Sequence, residues 1–171
     1  FSLPILDILS QNKPASDEHS KGTKKTRSLI LTPTRELASQ ISDNIREYGQ
    51  GLGLSNTAIF GGVSINNQVR DVRRGFDIVV ATPGRLIDLI DRKAINLSWV
   101  EILVLDEADR MLDMGFIRDV KKIISKLPQK RQTLFFSATM PSSVAVLANS
   151  ILNDPIRVEV TPQATTVEKI E

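Results

Sequence analysis

Two adjacent carboxylates, Asp106 and Glu107, directly follow a run of four branched apolar residues, 102–105. Such a run is too short for a helix and is typical of a strand that is buried on both faces of a parallel sheet. The acidic residues then lie at the carboxyl end of the strand, where ligands bind in open α/β sheets. There an Asp can hold Mg²⁺ through water, and a Glu can orient or deprotonate an attacking water. The pattern therefore predicts half of a nucleotide-hydrolysing site; a solvated acidic turn is the alternative.

Two further turns, 32–35 and 82–85, share the pattern Thr-Pro-x-Arg, and each leads into a predicted helix. A helix N-terminus offers free N–H groups and a positive dipole end, which suit a phosphate. The Thr hydroxyls and the arginines add donors, and Gly62 and Gly84 would allow a backbone to approach closely. Side by side, such turns could follow the phosphates of a nucleic acid without reading its sequence. Helix capping with surface arginines is the alternative interpretation.

Ser137, Ala138 and Thr139 follow the predicted strand that comes after the acidic one. Their hydroxyls could hydrogen-bond the acidic cluster and relay its state, or cap the helix that starts near Pro141. The aromatic residues have spacings that fit packing, so we expect them in the core and not on a base-stacking surface. These aromatic residues are Trp99, Phe116, Phe135 and Phe136.

Alternating strand and helix patterns predict an α/β fold, in which helices cover both faces of a parallel sheet. All of the turns described above should then project from one edge of that sheet. Residues 10–27 are polar and are predicted to form a surface loop. The predicted strands are 28–31, 57–60, 77–81, 102–105, 133–136 and 156–160; the predicted helices are 1–9, 34–48, one around 69–72, 83–90, 116–127 and 141–151.

The 171 residues suffice for one domain with a full core, and the net charge of +2 does not indicate a polybasic protein. Because the chain has no Cys and a single His, thiolate and His-based metal sites are not expected. No apolar run reaches membrane-spanning length and no signal peptide is visible. We therefore expect a cytoplasmic protein that does not contact a membrane.

Five short motifs, in their order and spacing, resemble those of the DEAD-box RNA helicases. The resemblance covers essentially the whole chain, and residues 60–65 look most like the bacterial RhlE-like subgroup. The motifs are Pro33-Thr34-Arg35-Glu36-Leu37-Ala38, Gly61-Gly62, Thr82-Pro83-Gly84-Arg85-Leu86, Asp106-Glu107-Ala108-Asp109 and Ser137-Ala138-Thr139.

This resemblance implies an ATP-dependent RNA helicase and, within it, the first of two RecA-like domains. It implies that Asp106 serves Mg²⁺–ATP through water and that Glu107 activates the hydrolytic water. It also implies that Asp109 and the 137–139 turn couple ATP hydrolysis to RNA unwinding. The residues expected to grip the RNA backbone are Pro33, Thr34, Arg35, Gly61, Gly62, Thr82, Pro83, Gly84 and Arg85.

The chain departs from the family pattern in what it lacks. The phosphate-binding A-x-T-G-x-G-K-T loop, the adenine-recognising Q motif and the second RecA-like domain are not found in it. We therefore expect residues 1–171 to form a partial N-terminal RecA-like domain, truncated at its N-terminus, whose isolated form has no useful ATPase activity. The alternative is a non-catalytic RecA-like module that binds RNA or a protein.

Overall fold

The computed structural model describes residues 1–12 and 23–160. Their central element is a sheet of five parallel strands in the order β2-β3-β1-β4-β5, which confirms the predicted α/β class. Each strand is four residues long and pairs in register with its neighbours. The strands are β1 (Ser28–Leu31), β2 (Asn56–Ile59), β3 (Ile78–Ala81), β4 (Ile102–Leu105) and β5 (Gln132–Phe135).

Helices connect the strands and cover both faces of the sheet. Helix α2 starts after Thr34, whose hydroxyl accepts a hydrogen bond from the Leu37 N–H at 3.3 Å. Helix α4 has Pro83 at its first position, where the missing N–H costs nothing. The helices are α1 (Ser2–Gln11), α2 (Arg35–Tyr48), α3 (Ile65–Val72), α4 (Pro83–Asp91), α5 (Ala108–Asp113), α6 (Ile117–Ile124) and α7 (Ser142–Ile151).

Strand β4 is anchored by two separate apolar clusters, one on each face of the sheet. Leu103 and Leu105 belong to the cluster built with α3, α4, α5 and α6, whereas Ile102 and Val104 belong to the cluster built with α1 and α2. All four side chains are at most 3% exposed. Burying each side chain contributes about 1.5–3 kcal/mol to the stability of the fold. The end of β4, from which the acidic residues continue, is therefore firmly held.

The predicted surface loop at 10–27 is wrong at both of its ends, and residues 13–22 lie outside the described part of the chain. Ser10 belongs to α1, while Thr26 and Arg27 are only 4% and 6% exposed. The Arg27 guanidinium donates hydrogen bonds to the Leu9 carbonyl (3.0 Å), the Asn12 carbonyl (2.6 Å) and Glu101 Oε2 (2.6 Å). A charged side chain tolerates burial when its donors are satisfied in this way.

The predicted sixth strand at 156–160 is also wrong. These residues pair with none of the five strands, and Ile156, Val158 and Val160 are at least 86% exposed. Alternation of apolar residues indicates a segment that could sit in a sheet. To form a strand, the segment must also pair with a neighbouring strand that has free N–H and C=O groups. The apolar alternation within one segment does not show whether such a strand is present.

Two of the four aromatic residues predicted in the core are instead at the surface. Trp99 is 52% exposed, and the Lys25 ammonium lies 3.6 Å from its ring centroid. Phe136 is 40% exposed, whereas Phe116 and Phe135 pack against the core as expected. Trp99 lies in the 92–101 connection, and its exposure shows that loop aromatics do not follow the burial pattern of helices and strands.

Within residues 1–12 and 23–160, no helix combines the length and the apolar character that crossing a membrane requires.

Candidate functional site

The five polar turns lie side by side along the carboxyl edge of the sheet. In spatial order they are the glycine turn (residues 61–64), the second Thr-Pro turn (82–85), the first Thr-Pro turn (32–35), the acidic turn (106–109) and the Ser-Ala-Thr turn (137–139). Backbone hydrogen bonds continue one step beyond the strands and fix each turn to its neighbour. These bonds run from Thr82 N to Ile59 O, Thr32 N to Ala81 O, Asp106 N to Leu31 O and Phe136 N to Leu105 O, at 2.8–3.0 Å.

Asp106 is half-buried at the end of β4, and its Oδ1 accepts a hydrogen bond from the Glu107 N–H at 3.1 Å. Burial raises the pKa of Asp106 above its usual range; that hydrogen bond opposes the effect, and the negative charge of Glu107 adds to it. A carboxylate that has lost part of its hydration gains more than a solvated one from a nearby cation. The position therefore suits a ligand that carries positive charge.

Glu107 adopts a left-handed backbone conformation, with φ 52° and ψ 51°. For a residue other than glycine this conformation costs about 1–2 kcal/mol, and such strain clusters at functional sites. Only Asp106 and Glu107 separate the end of β4 from the start of α5, and this conformation turns the chain between the two elements. The Glu107 carboxylate lies 3.2 Å from Arg110 Nη1 and remains accessible to solvent.

Asp109 is tied to the Ser-Ala-Thr turn, as one of the two sequence-based interpretations proposed. Its Oδ2 accepts hydrogen bonds from the Thr139 N–H (3.0 Å) and the Thr139 hydroxyl (2.7 Å). Its own N–H donates to Ser137 Oγ (3.2 Å), and that hydroxyl donates to the Thr139 carbonyl (2.7 Å). Desolvation alone would raise the pKa of Asp109, but the hydrogen bonds from Thr139, Arg110 and Ser137 outweigh it and lower the pKa.

The alternative role of the Ser-Ala-Thr turn as a helix cap is not observed. The residue that precedes α7 is Pro141, and no side chain caps the helix. Ala138 is exposed and carries no functional side-chain group. The two hydroxyls of the turn therefore form hydrogen bonds with the acidic cluster and with the backbone of the turn itself.

Arg35 of the first Thr-Pro turn is exposed and lies over the ring of Phe60, with 4.7 Å between its guanidinium carbon and the ring centroid. Its Nη1 also lies beside the glycine turn: a Cβ on Gly62 would come within 3.2 Å of it. Gly62 has φ 78°, a conformation that only glycine adopts without strain. A Cβ on Gly61 or Gly84 would meet nothing within 4 Å, so the close approach is specific to Gly62.

Arg85 of the second Thr-Pro turn has a different environment, because its side chain is only 13% exposed. Its Nη1 donates to the Val63 carbonyl (3.0 Å) and to Gln68 Oε1 (2.9 Å). The Gln68 amide in turn donates to the Phe60 carbonyl at 3.1 Å. Thr82 precedes α4 but makes no capping bond with its side chain, unlike Thr34.

Residues 1–147 match the family model described as DEAD/DEAH box helicase. The chain belongs to this family. It is 46% identical over its full length to "RNA helicase CrhR" of Synechocystis and covers 32% of that protein. It is 52% identical over 94% of its length to "ATP-dependent RNA helicase DBP3" of Lodderomyces elongisporus and covers 28% of it. This chain therefore spans about a third or less of the length of these two relatives.

The fold agrees with solved DEAD-box structures. A DEAD box protein from the hyperthermophile Methanococcus jannaschii superimposes with a TM-score of 0.79 at 38% identity, over 90% of this chain and 39% of that one. A hypothetical ATP-dependent RNA helicase from Sulfolobus tokodaii superimposes with a TM-score of 0.75 at 36% identity. The RecA-like arrangement predicted for this DEAD-box chain is thereby confirmed.

Three residues of this edge were not singled out from the sequence: Phe60, Gln68 and Arg110. The spacing of Glu107 and Arg110, three residues apart at a helix start, could have indicated their ion pair. Phe60 immediately precedes the glycine turn, but nothing in its position indicated a stacked arginine. Gln68 gave no signal, because its partners lie eight and seventeen positions away.

Proposed function

We propose that this chain is part of an ATP-dependent RNA helicase, in which it supplies part of the ATP-hydrolysing site and part of the RNA-binding surface along one sheet edge. The observation that carries the proposal is the contact of Asp109 with Thr139, because it joins the acidic turn to a second, separate turn. A solvated acidic surface would not need such a link. Membership of the DEAD/DEAH box family and the names of its relatives supply RNA and ATP as the ligands.

Asp106 would hold Mg²⁺ through water. The donor set fits this ion, since Mg²⁺ usually takes one or two carboxylates and keeps several waters. Asp106 has a second carboxylate oxygen beyond the one that the Glu107 N–H occupies. Bound Mg²⁺ would neutralise charge on the phosphates of ATP.

Glu107 would accept a proton from the attacking water or orient that water. Its carboxylate is solvent-accessible, and its left-handed backbone fixes it directly beside Asp106. Asp109, Ser137 and Thr139 would transmit the state of the acidic turn to the rest of the protein. RNA backbone phosphates would lie along the glycine turn and the two Thr-Pro turns, with no dependence on base sequence.

The proposal includes partners beyond this chain. In the full-length protein a second RecA-like domain would complete the ATP site, and we propose a cytoplasmic location for that protein. The assignment to the RhlE-like subgroup stays a prediction.

The test is Glu107→Gln in the full-length protein that carries this chain, with RNA-stimulated phosphate release and nucleotide binding measured in parallel. We expect hydrolysis to be lost and ATP binding to be retained, because the amide cannot accept a proton from water. Glu47→Gln, on the exposed face of α2, is the matched control and should leave both unchanged. Persistent hydrolysis in Glu107→Gln would remove Glu107 from the reaction. RNA binding without turnover in the unmodified protein would favour the non-catalytic module.

A further inference from the structure

The two arginines of the Thr-Pro turns occupy equivalent positions in the sequence but not equivalent environments. Arg35 is exposed and stacked on Phe60, whereas the Arg85 side chain is 13% exposed. Within residues 1–12 and 23–160, the Arg35 guanidinium makes no hydrogen bond or ion pair, so its donors are available to a ligand. Arg85 already has two acceptors, the Val63 carbonyl and the Gln68 side chain.

Gln68 joins three separate pieces of chain through one amide group. Its oxygen accepts from Arg85 at the start of α4, and its nitrogen donates to the Phe60 carbonyl at the end of β2. The orientation of the amide is fixed by its partners, because a guanidinium can only donate and a carbonyl can only accept. Gln68 therefore ties the entrance of the glycine turn to Arg85, while Arg85 ties down Val63 inside that turn.

We propose that Gln68 and Arg85 are positioning residues, which hold the glycine turn in place so that Gly62 and Arg35 can meet an RNA phosphate. In this arrangement Arg35 contacts phosphate directly, whereas Arg85 supplies no phosphate contact. The inference deepens the proposed function and rests on its claim that this edge binds RNA. The Arg85 side chain is only 13% exposed, and its Nη1 already serves the two acceptors that fasten the turn.

Salt dependence separates the two kinds of role. Each phosphate contact made by a cationic side chain contributes about −0.7 to the slope of log K against log salt for a single strand. Removal of a direct contact therefore flattens the slope, whereas loss of a positioning bond lowers the affinity at every salt concentration by the same factor. Gln68 is uncharged, so its removal is the cleanest case of the second kind.

The experiment measures binding of a single-stranded oligouridylate to the full-length protein between low and moderate salt. We expect Arg35→Gln to flatten the slope by about 0.7. We expect Arg85→Gln and Gln68→Ala each to weaken binding about three- to tenfold with an unchanged slope, since each loses one or two hydrogen bonds. The variant that combines Arg85→Gln with Gln68→Ala should bind no worse than Arg85→Gln alone, because both substitutions act through one hydrogen-bond network. Arg46→Gln, an exposed charge loss on α2, is the matched control.

Arg85→Lys adds a second discrimination. Lysine keeps the positive charge, but its flexible ammonium lacks the planar guanidinium geometry that aims Nη1 at both the Val63 carbonyl and Gln68 Oε1. A positioning role predicts that Arg85→Lys binds as weakly as Arg85→Gln. A phosphate contact predicts that lysine restores most of the affinity. A flattened slope in Arg85→Gln, rescue by lysine, or full affinity in Gln68→Ala would each overturn the inference.

Hydrogen exchange at residues 61–64 tests the positioning role without RNA. We expect faster amide exchange there in Gln68→Ala and Arg85→Gln, and unchanged exchange in Arg35→Gln, because only the first two loosen the turn. Unchanged exchange in all three would overturn the inference even if RNA binds. If the unmodified protein does not bind RNA at all, the proposed function fails, and the exchange result still decides whether Gln68 and Arg85 hold the turn.

Discussion

The link between Asp109 and Thr139 should be measurable as a coupling energy of about 1 kcal/mol. Thr139→Val removes the 2.7 Å hydroxyl bond to Asp109 Oδ2 but keeps the 3.0 Å bond from the backbone N–H. A hydrogen bond to a charged group contributes about 1.5–3 kcal/mol. This pair is open to solvent, so screening reduces the value, and we expect Thr139→Val to cost about 0.5–1 kcal/mol. Asp109→Ala removes both bonds and should cost about twice as much.

The assay is urea unfolding of both single variants and the double variant, combined as a thermodynamic cycle at neutral and at acid pH. The folded-state pKa of Asp109 is lowered, so its contribution is fully present above the unfolded pKa of about 3.9 and is lost as the pH falls through the folded-state value. The coupling energy should therefore disappear in acid. Asp113→Asn, an exposed carboxylate on the same helix, is the control. A coupling energy near zero at pH 7, or one that persists in strong acid, would refute the argument.

Three further changes have outcomes set by the same structure. Asp106→Asn should stabilise the fold by about 0.5–1 kcal/mol at pH 7 and not at pH 3, because burial raises the Asp106 pKa and penalises only the charged form; urea unfolding at both pH values checks this. Arg27→Met should cost about 2–4 kcal/mol in the same assay, because it leaves two α1-end carbonyls without their donor, and a loss below about 1 kcal/mol would contradict it. Gly62→Ala should cost about 1–2 kcal/mol of stability and weaken RNA binding, because alanine is strained at this positive φ and its Cβ would press on Arg35. Gly61→Ala has open space around its Cβ and should have neither effect.

Much of the fold could be predicted because it depends on patterns among residues that are close together in the sequence. The run 102–105 is apolar at every position, which indicates burial on both faces, and both apolar clusters do contain it. Parallel strands place their carboxyl ends on one edge, so the five turns could be brought together without any knowledge of side-chain contacts. The same reasoning offered a bond between the hydroxyls of residues 137–139 and the acidic cluster as one of two interpretations. The structure has such a bond between Thr139 and Asp109, because β4 and β5 are neighbours.

The features that could not be predicted depend on partners far away in the chain. Arg27 is buried because Glu101, 74 positions later, and two carbonyls of the α1 end accept its hydrogen bonds. The polar residues that precede Arg27 in the sequence predicted an exposed loop instead. The segment 156–160 has the composition of a strand, but pairing is a property of two segments, and no strand of the described sheet pairs with it.

The two Thr-Pro turns show how far a motif can be trusted. Their sequences are alike, and each precedes a helix, so sequence reasoning gave Arg35 and Arg85 the same role. Their strands differ in position: β3 lies next to β2, so the turn that follows it borders the glycine turn and α3, where Gln68 is available. Strand β1 lies between β3 and β4, and Arg35 reaches over Phe60 instead. The motif fixes the residue types and the helix start, whereas the neighbouring strand decides whether an arginine is free to bind or is already bound.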